Sequence, residues 1–453
     1  MRGAESHGLD PRHYHLEALA AAGGRSPRDP AAAAELELLR TDALLRLARH
    51  LRFGKVGPAD RDPAPVGART PEPEDAAPFL EELFAAADLG RALEALAPDH
   101  HAYRGLRRAL AHYRSIRDAG GFPVVGEGPG LRLGDVDPRV PWLRLRLLVT
   151  GDLPPDADLL SSVIDADLEV AVRRFQHRHG LNDDAVVGTA TLAELEVPVE
   201  RRIEQVRVNL ERARWILRDL PASFVVVNVA GQRLYVVHDG AALWETRVIV
   251  GKTATRTPTF SALMRYVVLN PAWSVPRSIA PEILADLRRN PSYLEEQGYR
   301  VLDPAGGEVD PSTVEFERYR GSDFPYLFRQ SPGAGNALGR IKFEFPNPYS
   351  VYLHDTPARS LFERERRTFS HGCIRVQDPL RLGELVLDDP ERWSREALEA
   401  TIATRATRTV QLKQPLPVLI LYWTAASDLH GELHFYRDVY GRDPALLRAL
   451  SEP

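Results

Sequence analysis

The sequence predicts an α+β multidomain protein, with helical segments leading into a mostly-β half that an insertion interrupts. Three observations carry that class. Apolar residues recur at helical spacing through the first third of the chain, β-branched runs joined by glycine turns begin at Phe224, and a solitary cysteine, Cys373, sits in a glycine-bearing turn near two histidines. With 453 residues the chain can hold two to four domains and a sizeable core.

Residues 1–140 are rich in Ala, Leu and Arg, and Leu36, Leu39, Leu44, Leu47 and Leu51 approach helical spacing, as expected of a helical scaffold. Pro58 to Pro73 is rich in Pro, Ala and Asp and reads as a mobile loop. A compact module is expected over residues 141–200. Its first helix runs from Asp167 to His179, with Leu168, Val172 and Phe175 on one face and Gly180 as the stop. Val186-Val187-Gly188 then turns the chain into a second helix that Thr189 can cap. A linking helix, Arg202 to Leu217, occupies most of residues 201–222.

The mostly-β unit is expected over residues 223–453. Phe224 to Val229, Leu234 to Val237 and Leu243 to Val250 are apolar strands, and Ala230-Gly231 and Asp239-Gly240 are the turns of an antiparallel meander. Between about 279 and 329 the period loosens into a Pro- and Gly-punctuated stretch, a natural position for a lid. Pro379 to Leu398 reads as helix, and Val418 to Tyr422 and Leu433 to Phe435 read as strands.

The net charge of −5 and pI near 6.3 lend no support to nucleic-acid binding. Lysine occurs only at Lys55, Lys252, Lys342 and Lys413, so arginine supplies nearly all the positive charge, a base-composition bias. No run of 18 apolar residues would span a membrane, and Met1 to Gly8 lacks the apolar core of a signal peptide.

A solitary thiol forms neither an internal disulfide nor a multi-cysteine zinc site, which leaves a nucleophile or a small buried filler. As a nucleophile it needs help, because a free thiol with a pKa near ~8.5 is only a few per cent ionised at neutral pH. His371 lies two residues before it and His354 lies 19 positions upstream, far enough to return on an adjacent strand. Gly372 lets the turn adopt positive φ and lets a substrate carbonyl approach the Gly372 and Cys373 amides, as an oxyanion hole requires. By itself a cysteine near a histidine fits the filler equally well.

The wider string adds to this. His354-Asp355-Thr356-Pro357 followed by Ser370-His371-Gly372-Cys373-Ile374-Arg375-Val376 resembles the signature of the L,D-transpeptidases, the YkuD-type catalytic domain. Trp273 to Ala280, Pro332 to Asn347 and the tail Tyr440-Gly441-Arg442-Asp443 resemble its large, capped YcbB-like subgroup. Phe175 to Leu181 with Val187 to Leu192 resembles the small peptidoglycan-binding fold, departing at Asp184-Ala185 where that pattern has Asp-Gly. A helical spacer without a ligand is the alternative there.

The resemblance implies a mostly-β catalytic fold with a lid and a cysteine acyltransferase that needs no metal or organic cofactor. Its substrates would be peptidoglycan stem peptides. A tetrapeptide donor loses D-Ala to give a thioester on Cys373, and the side-chain amine of an acceptor stem resolves it into a 3→3 cross-link. Carbapenems would act as covalent inhibitors; protein partners are not implied. His354 matches the family's first histidine and is expected to be the base, oriented by the Asp355 side chain or a backbone carbonyl. His371 matches the second and either shapes the thiol loop or contacts substrate. Gly372 shapes the oxyanion hole, and Ser370, Arg375, Tyr352 and Trp273 are expected to face substrate, Arg375 binding a stem carboxylate or bridging loops.

Family members work outside the cytoplasmic membrane, so a periplasmic or envelope location is expected, with an export segment preceding the chain. His7 to Leu16 resembles the first helix of the exported form. A single cysteine suits an oxidising compartment. Two rivals stand beside the transpeptidase: an L,D-carboxypeptidase or endopeptidase of the same fold, and a wall-binding scaffold without catalysis.

Overall fold

The computed structural model describes residues 2–22, 29–57, 80–321, 323–428 and 430–452, and the expected loop Pro58 to Pro73 lies outside them. The chain divides into two compact units. One comprises residues 1–220, 228–231 and 421–453, the other residues 221–227 and 232–420.

The first unit is helical. Pro30–Phe53 starts on Asp29, whose carboxylate accepts from the Ala32 N–H at 3.1 Å, and ends before Gly54 at φ +92°. Leu47 and Leu51 of this helix share one core with Leu106 and Leu110 of His101–Asp118 and with Val206 and Leu210 of Val199–Ile216. Ahead of them the chain forms two short 3-10 turns, Arg2–His7 and Pro11–Tyr14, before the helix Leu16–Ala21, so the stretch His7 to Leu16 is not one continuous helix.

A second core in this unit gathers Leu143 and Leu147 of Val140–Val149, Leu168, Val172 and Phe175 of Ala166–Arg178, and Leu195 of Thr189–Leu195. Asp165 caps the middle helix at the Leu168 N–H, 2.9 Å away. Gly180 at φ +64° ends it, with the Leu181 N–H returning to the Gln176 carbonyl at 3.0 Å. The cap expected of Thr189 is not formed. Gly188 occupies the cap position without a side-chain bond and Thr189 is the first helical residue, its φ and ψ already committed to the helix.

Ala185, standing where the related pattern has glycine, is held at φ +62° while its N–H donates to Gln176 Oε1 at 2.8 Å. A Cβ in that region costs about 1–2 kcal/mol, partly offset by the entropy glycine would lose on folding. Ala185→Gly is therefore expected to stabilise the protein by about 0.5–1 kcal/mol, read as a higher urea midpoint with unchanged slope.

The second unit is built on β1 (Phe224–Asn228), β2 (Arg233–His238), β3 (Ala241–Gly251), β4 (Phe260–Leu269), β9 (Ile341–Glu344), β10 (Leu353–His354), β11 (Thr368–Ser370), β12 (Ile374–Val376) and β13 (Arg408–Leu421). Their order is β11-β3-β12-β10-β9-β4-β13-β1-β2, and β2 pairs again with β3, so the ladder closes on itself and β11 lies as an extra strand along β3. Period-2 alternation sorts the faces. Val267, Phe343, Leu353, Ile374 and Val376 are buried together on the core side. The pairing of β13 with β4 shifts register between Gln411 and Leu416, where Pro415 has no N–H to give the ladder.

Between β4 and β9 stands the insertion, which the loosened sequence period does not describe as it folds. The strands β5 (Trp273–Ser274), β6 (Tyr299–Leu302), β7 (Glu308–Val309) and β8 (Leu327–Gln330) form a separate sheet in the order β5-β8-β6-β7. The helix Ala280–Arg289 packs on it through Ala280, Ile283, Leu284 and Leu287, which share a core with Val301, Phe324 and Phe328. The stretch expected as one helix from Pro379 to Leu398 is two, Pro379–Leu387 and Arg395–Ala403, broken where Asp388 takes φ +46°. Two short strands of the first unit, β14 (Ala425–Ser427) and β15 (Leu433–Phe435), pair antiparallel with each other. No helix among the described residues is long and apolar enough to cross a membrane.

Candidate active site

The parallel pairing of β10 with β12 builds the site. Leu353 lies opposite Ile374 and His354 opposite Arg375, so Tyr352 and Cys373 occupy the preceding rung, and the Ile374 N–H donates to the Tyr352 carbonyl at 3.1 Å. On the other flank β9 sets Lys342 opposite His354. Lys342, Tyr352, His354, Cys373 and Arg375 thus share one face of the sheet, away from the core.

The turn before β12 is tied down by its own side chain. Ser370 Oγ accepts from the Gly372 N–H at 3.1 Å and donates to the Cys373 carbonyl. Gly372 stands at φ +117°, a conformation a Cβ would strain. Of the two amides expected in an oxyanion hole, the Gly372 N–H is therefore occupied, and the Cys373 N–H shows no partner among the described residues. Residues 252–257 brace the turn from outside: the Lys252 N–H and Thr255 Oγ1 donate to the Ser370 carbonyl at 2.9 and 3.1 Å, and the buried Thr257 Oγ1 donates to the Gly372 carbonyl at 2.8 Å.

Cys373 is half-buried, and its Sγ–H points to the Ser350 carbonyl at 3.7 Å. Burial pushes the thiol pKa up, while the Tyr352 N–H and hydroxyl and the charges of Lys342 and Arg375 pull the other way. The Tyr352 hydroxyl is held between Cys373 and Trp273. Its ring lies edge-on to His354 at 5.7 Å and under the Lys342 ammonium at 4.2 Å. Tyr352 is thus drawn to the sulfur itself, and Trp273 reaches it from β5 at the root of the insertion.

His354 is 4% exposed. Its Nδ1 bonds the Asp355 carbonyl at 2.5 Å, which assigns the proton to Nδ1, and the Leu338 carbonyl makes a further backbone hydrogen bond to the ring. Burial foremost, with Arg375 adding to it, lowers its pKa to about 3, so the imidazole is neutral. The Asp355 carboxylate turns elsewhere, to the Thr356 N–H at 2.7 Å, the Arg359 guanidinium at 2.6 Å and the Arg340 N–H at 2.9 Å. The backbone carbonyl of Asp355, rather than its side chain, fixes the ring. His371 lies on the outside of the turn, its Nε2 2.7 Å from Glu282 Oε1 on the first turn of the insertion helix. Arg375 is half-buried, and its Nε has no hydrogen-bond partner among the described residues.

This geometry gives a thiol with a neutral imidazole on the same sheet face, an uncommitted amide and two cations. It suits nucleophilic attack on a carbonyl with proton transfer during the attack. Residues 222–402, which contain every group just described, match the L,D-transpeptidase catalytic domain family. The segment belongs to that family. Residues 1–110 match the scaffold domain and residues 136–195 the "Putative peptidoglycan binding domain".

A Haemophilus influenzae protein named "Putative L,D-transpeptidase" is 35% identical over 220 residues, 48% of this chain and 44% of its own length. The match thus spans less than half of that relative. Crystal structures of L,D-transpeptidases from Stackebrandtia nassauensis and Xylanimonas cellulosilytica are each 14% identical. They cover 66% and 65% of this chain, and 96% and 98% of their own, at TM-scores of 0.26 and 0.21. Likeness at such scores carries no weight, and the fold rests on the closed strand ladder.

In the L,D-transpeptidase domain, Cys373, His354, Tyr352, Trp273, Arg375, Ser370 and Gly372 come together, while Asp355 serves behind His354 and His371 faces the insertion. Sequence reasoning missed Ser350, Thr257 and Glu282. Ser350 is marked only by positive φ, +54°, in a loop that Asn347 organises through its side-chain bonds to Tyr349 and Val351. Glu282 had no local signal, since its partner is 89 residues away.

Proposed function

We propose that this chain is a peptidoglycan L,D-transpeptidase that forms 3→3 cross-links through an acyl-enzyme on Cys373. The thiol attacks the carbonyl of the diamino acid in a donor tetrapeptide while His354 Nε2 takes its proton. The Cys373 amide and the Tyr352 hydroxyl hold the developing charge, and His354 returns the proton to the departing D-Ala. The side-chain amine of an acceptor stem then displaces the sulfur. Arg375, on the same sheet face as the thiol, receives a donor carboxylate.

The observation that carries this reading is the pairing of β10 with β12, which puts the neutral imidazole and the thiol on one face of one sheet. The insertion excludes water from the thioester, and its own core explains how it does so as a folded body rather than a loop. The chain divides into a helical scaffold over residues 1–140, a peptidoglycan-binding-like module over 141–200, a linking helix over 201–222 and a catalytic domain that starts at 223; the expected end at 453 is too far, because residues 421–453 fold with the helical unit. It works in the periplasm or cell envelope, and carbapenems acylate the same thiol.

Mass spectrometry of the intact protein mixed with tetrapeptide stems tests the reading. An adduct lacking D-Ala, followed by a cross-linked dimer, is the expected result. Tripeptide as the sole product would make the enzyme a carboxypeptidase, and absence of any adduct would leave only the wall-binding reading.

A further inference from the structure

Charges of both signs gather around Cys373, brought by the sheet and by the insertion. Lys342 and Arg375 come from the sheet and both favour the ionised thiol. Lys342 is offset by Glu344 at 2.6 Å, whereas the Arg375 Nε is unpartnered among the described residues. The insertion brings the opposite charge, Glu282, which bonds His371 two residues before the thiol. Glu282 stands in the first turn of Ala280–Arg289, at the positive end of the helix dipole, which favours a carboxylate. Because Ala280, Ile283, Leu284 and Leu287 anchor that helix in the insertion core, the carboxylate is placed by packing and not by its ion pair alone. The side chains of Glu282 and His371 are 57% and 28% exposed, whereas His354 as a whole residue is 4% exposed. Glu282 and His371 are thus open to a second substrate arriving at an acylated Cys373.

Resting on the transpeptidase reading above, the geometry points to Glu282 and His371 as the receiving site for the acceptor's amine. The acceptor offers an ammonium, which suits Glu282. Glu282 binds that ammonium and His371 takes one of its protons. The free amine adds to the thioester carbonyl, a C–N bond forms, the C–S bond breaks, and the sulfur leaves as thiolate. The proton lost by the new amide nitrogen returns to that thiolate, and His371 releases its own proton to solvent. In this scheme His354 serves the first half-reaction and the His371–Glu282 pair the second.

The test uses the full chain, a tetrapeptide donor and two nucleophiles: an acceptor tetrapeptide whose diamino acid is cationic, and hydroxylamine, which is neutral at neutral pH. Glu282→Gln is expected to keep donor acylation within about twofold, lower cross-linked dimer about tenfold in favour of tripeptide, and leave hydroxamate formation as it was. Glu282→Asp should recover most of the dimer. A fall in acylation equal to the fall in dimer would overturn the assignment, because Glu282 would then be holding the thiol turn. Equal losses with both nucleophiles would overturn it too, since a neutral amine needs no carboxylate. Failure of the underlying transpeptidase reading is separately visible: the wild-type protein would carry no adduct before any acceptor is added.

Discussion

Cys373→Ala is expected to abolish both the acyl adduct and every stem-peptide product. It is the only thiol in the chain, and no other side chain on the shared sheet face can form a thioester. The substitution removes a half-buried sulfur whose hydrogen bond to Ser350 is long, so the fold should survive and the loss should be chemical. Intact-mass measurement with donor stem or a carbapenem reads this directly, and circular dichroism establishes that the variant is folded. Persistent 3→3 dimer from the alanine variant would end the proposal.

His354→Ala should lower the acylation rate by about 10²–10⁴, the usual loss for a general base. The environment explains why the base matters here. Burial pushes the Cys373 pKa up and the His354 pKa down to about 3, so the resting pair is neutral thiol and neutral imidazole rather than a preformed ion pair. Proton transfer must then accompany attack, and removing the acceptor leaves nothing to receive the proton. Alkylation of the wild-type thiol should correspondingly show its pH inflection above the ~8.5 of an unperturbed thiol. His371→Ala should leave acylation far less affected, because His371 is directed to Glu282. If His371→Ala proves the more damaging of the two in single-turnover acylation, the roles are reversed.

What could be read in advance followed local pattern. The strands from Phe224 to Val250 announce themselves because alternation with glycine turns is a property of adjacent residues, and Gly180 ends its helix for the same reason. The parallel contact of β10 with β12 could not be seen that way, since β10 has two residues and its partner lies on another strand. The insertion misled through its short strands, each of 2–4 residues, which show no period although the whole buries a core. Thr189 looked like a cap because capping residue types are common one position either side of the true cap. At the site, Cys373 and His354 were legible as chemical types, but Ser350 and Glu282 owe their positions to contacts made only after folding.

The helical unit is written in three pieces, and the last begins at Leu421, where β13 ends. Ala425 and Phe435 belong to the same core as Leu106 and Leu210, Leu446 and Leu450 pack with Val208, and the Lys55 ammonium donates to the Leu450 carbonyl at 3.1 Å. Synthesis proceeds from the N-terminus, so the helices made first remain incomplete until the residues made last arrive. The strands of the barrel, nested between, are all present before that. A chain ended prematurely just past Ile420 would therefore carry a whole enzyme half on an unfinished helical unit with exposed apolar faces, a natural target for proteolysis. Residues 421–452 thus act as a check on length: only a chain translated past them can bury the core that its first helices began.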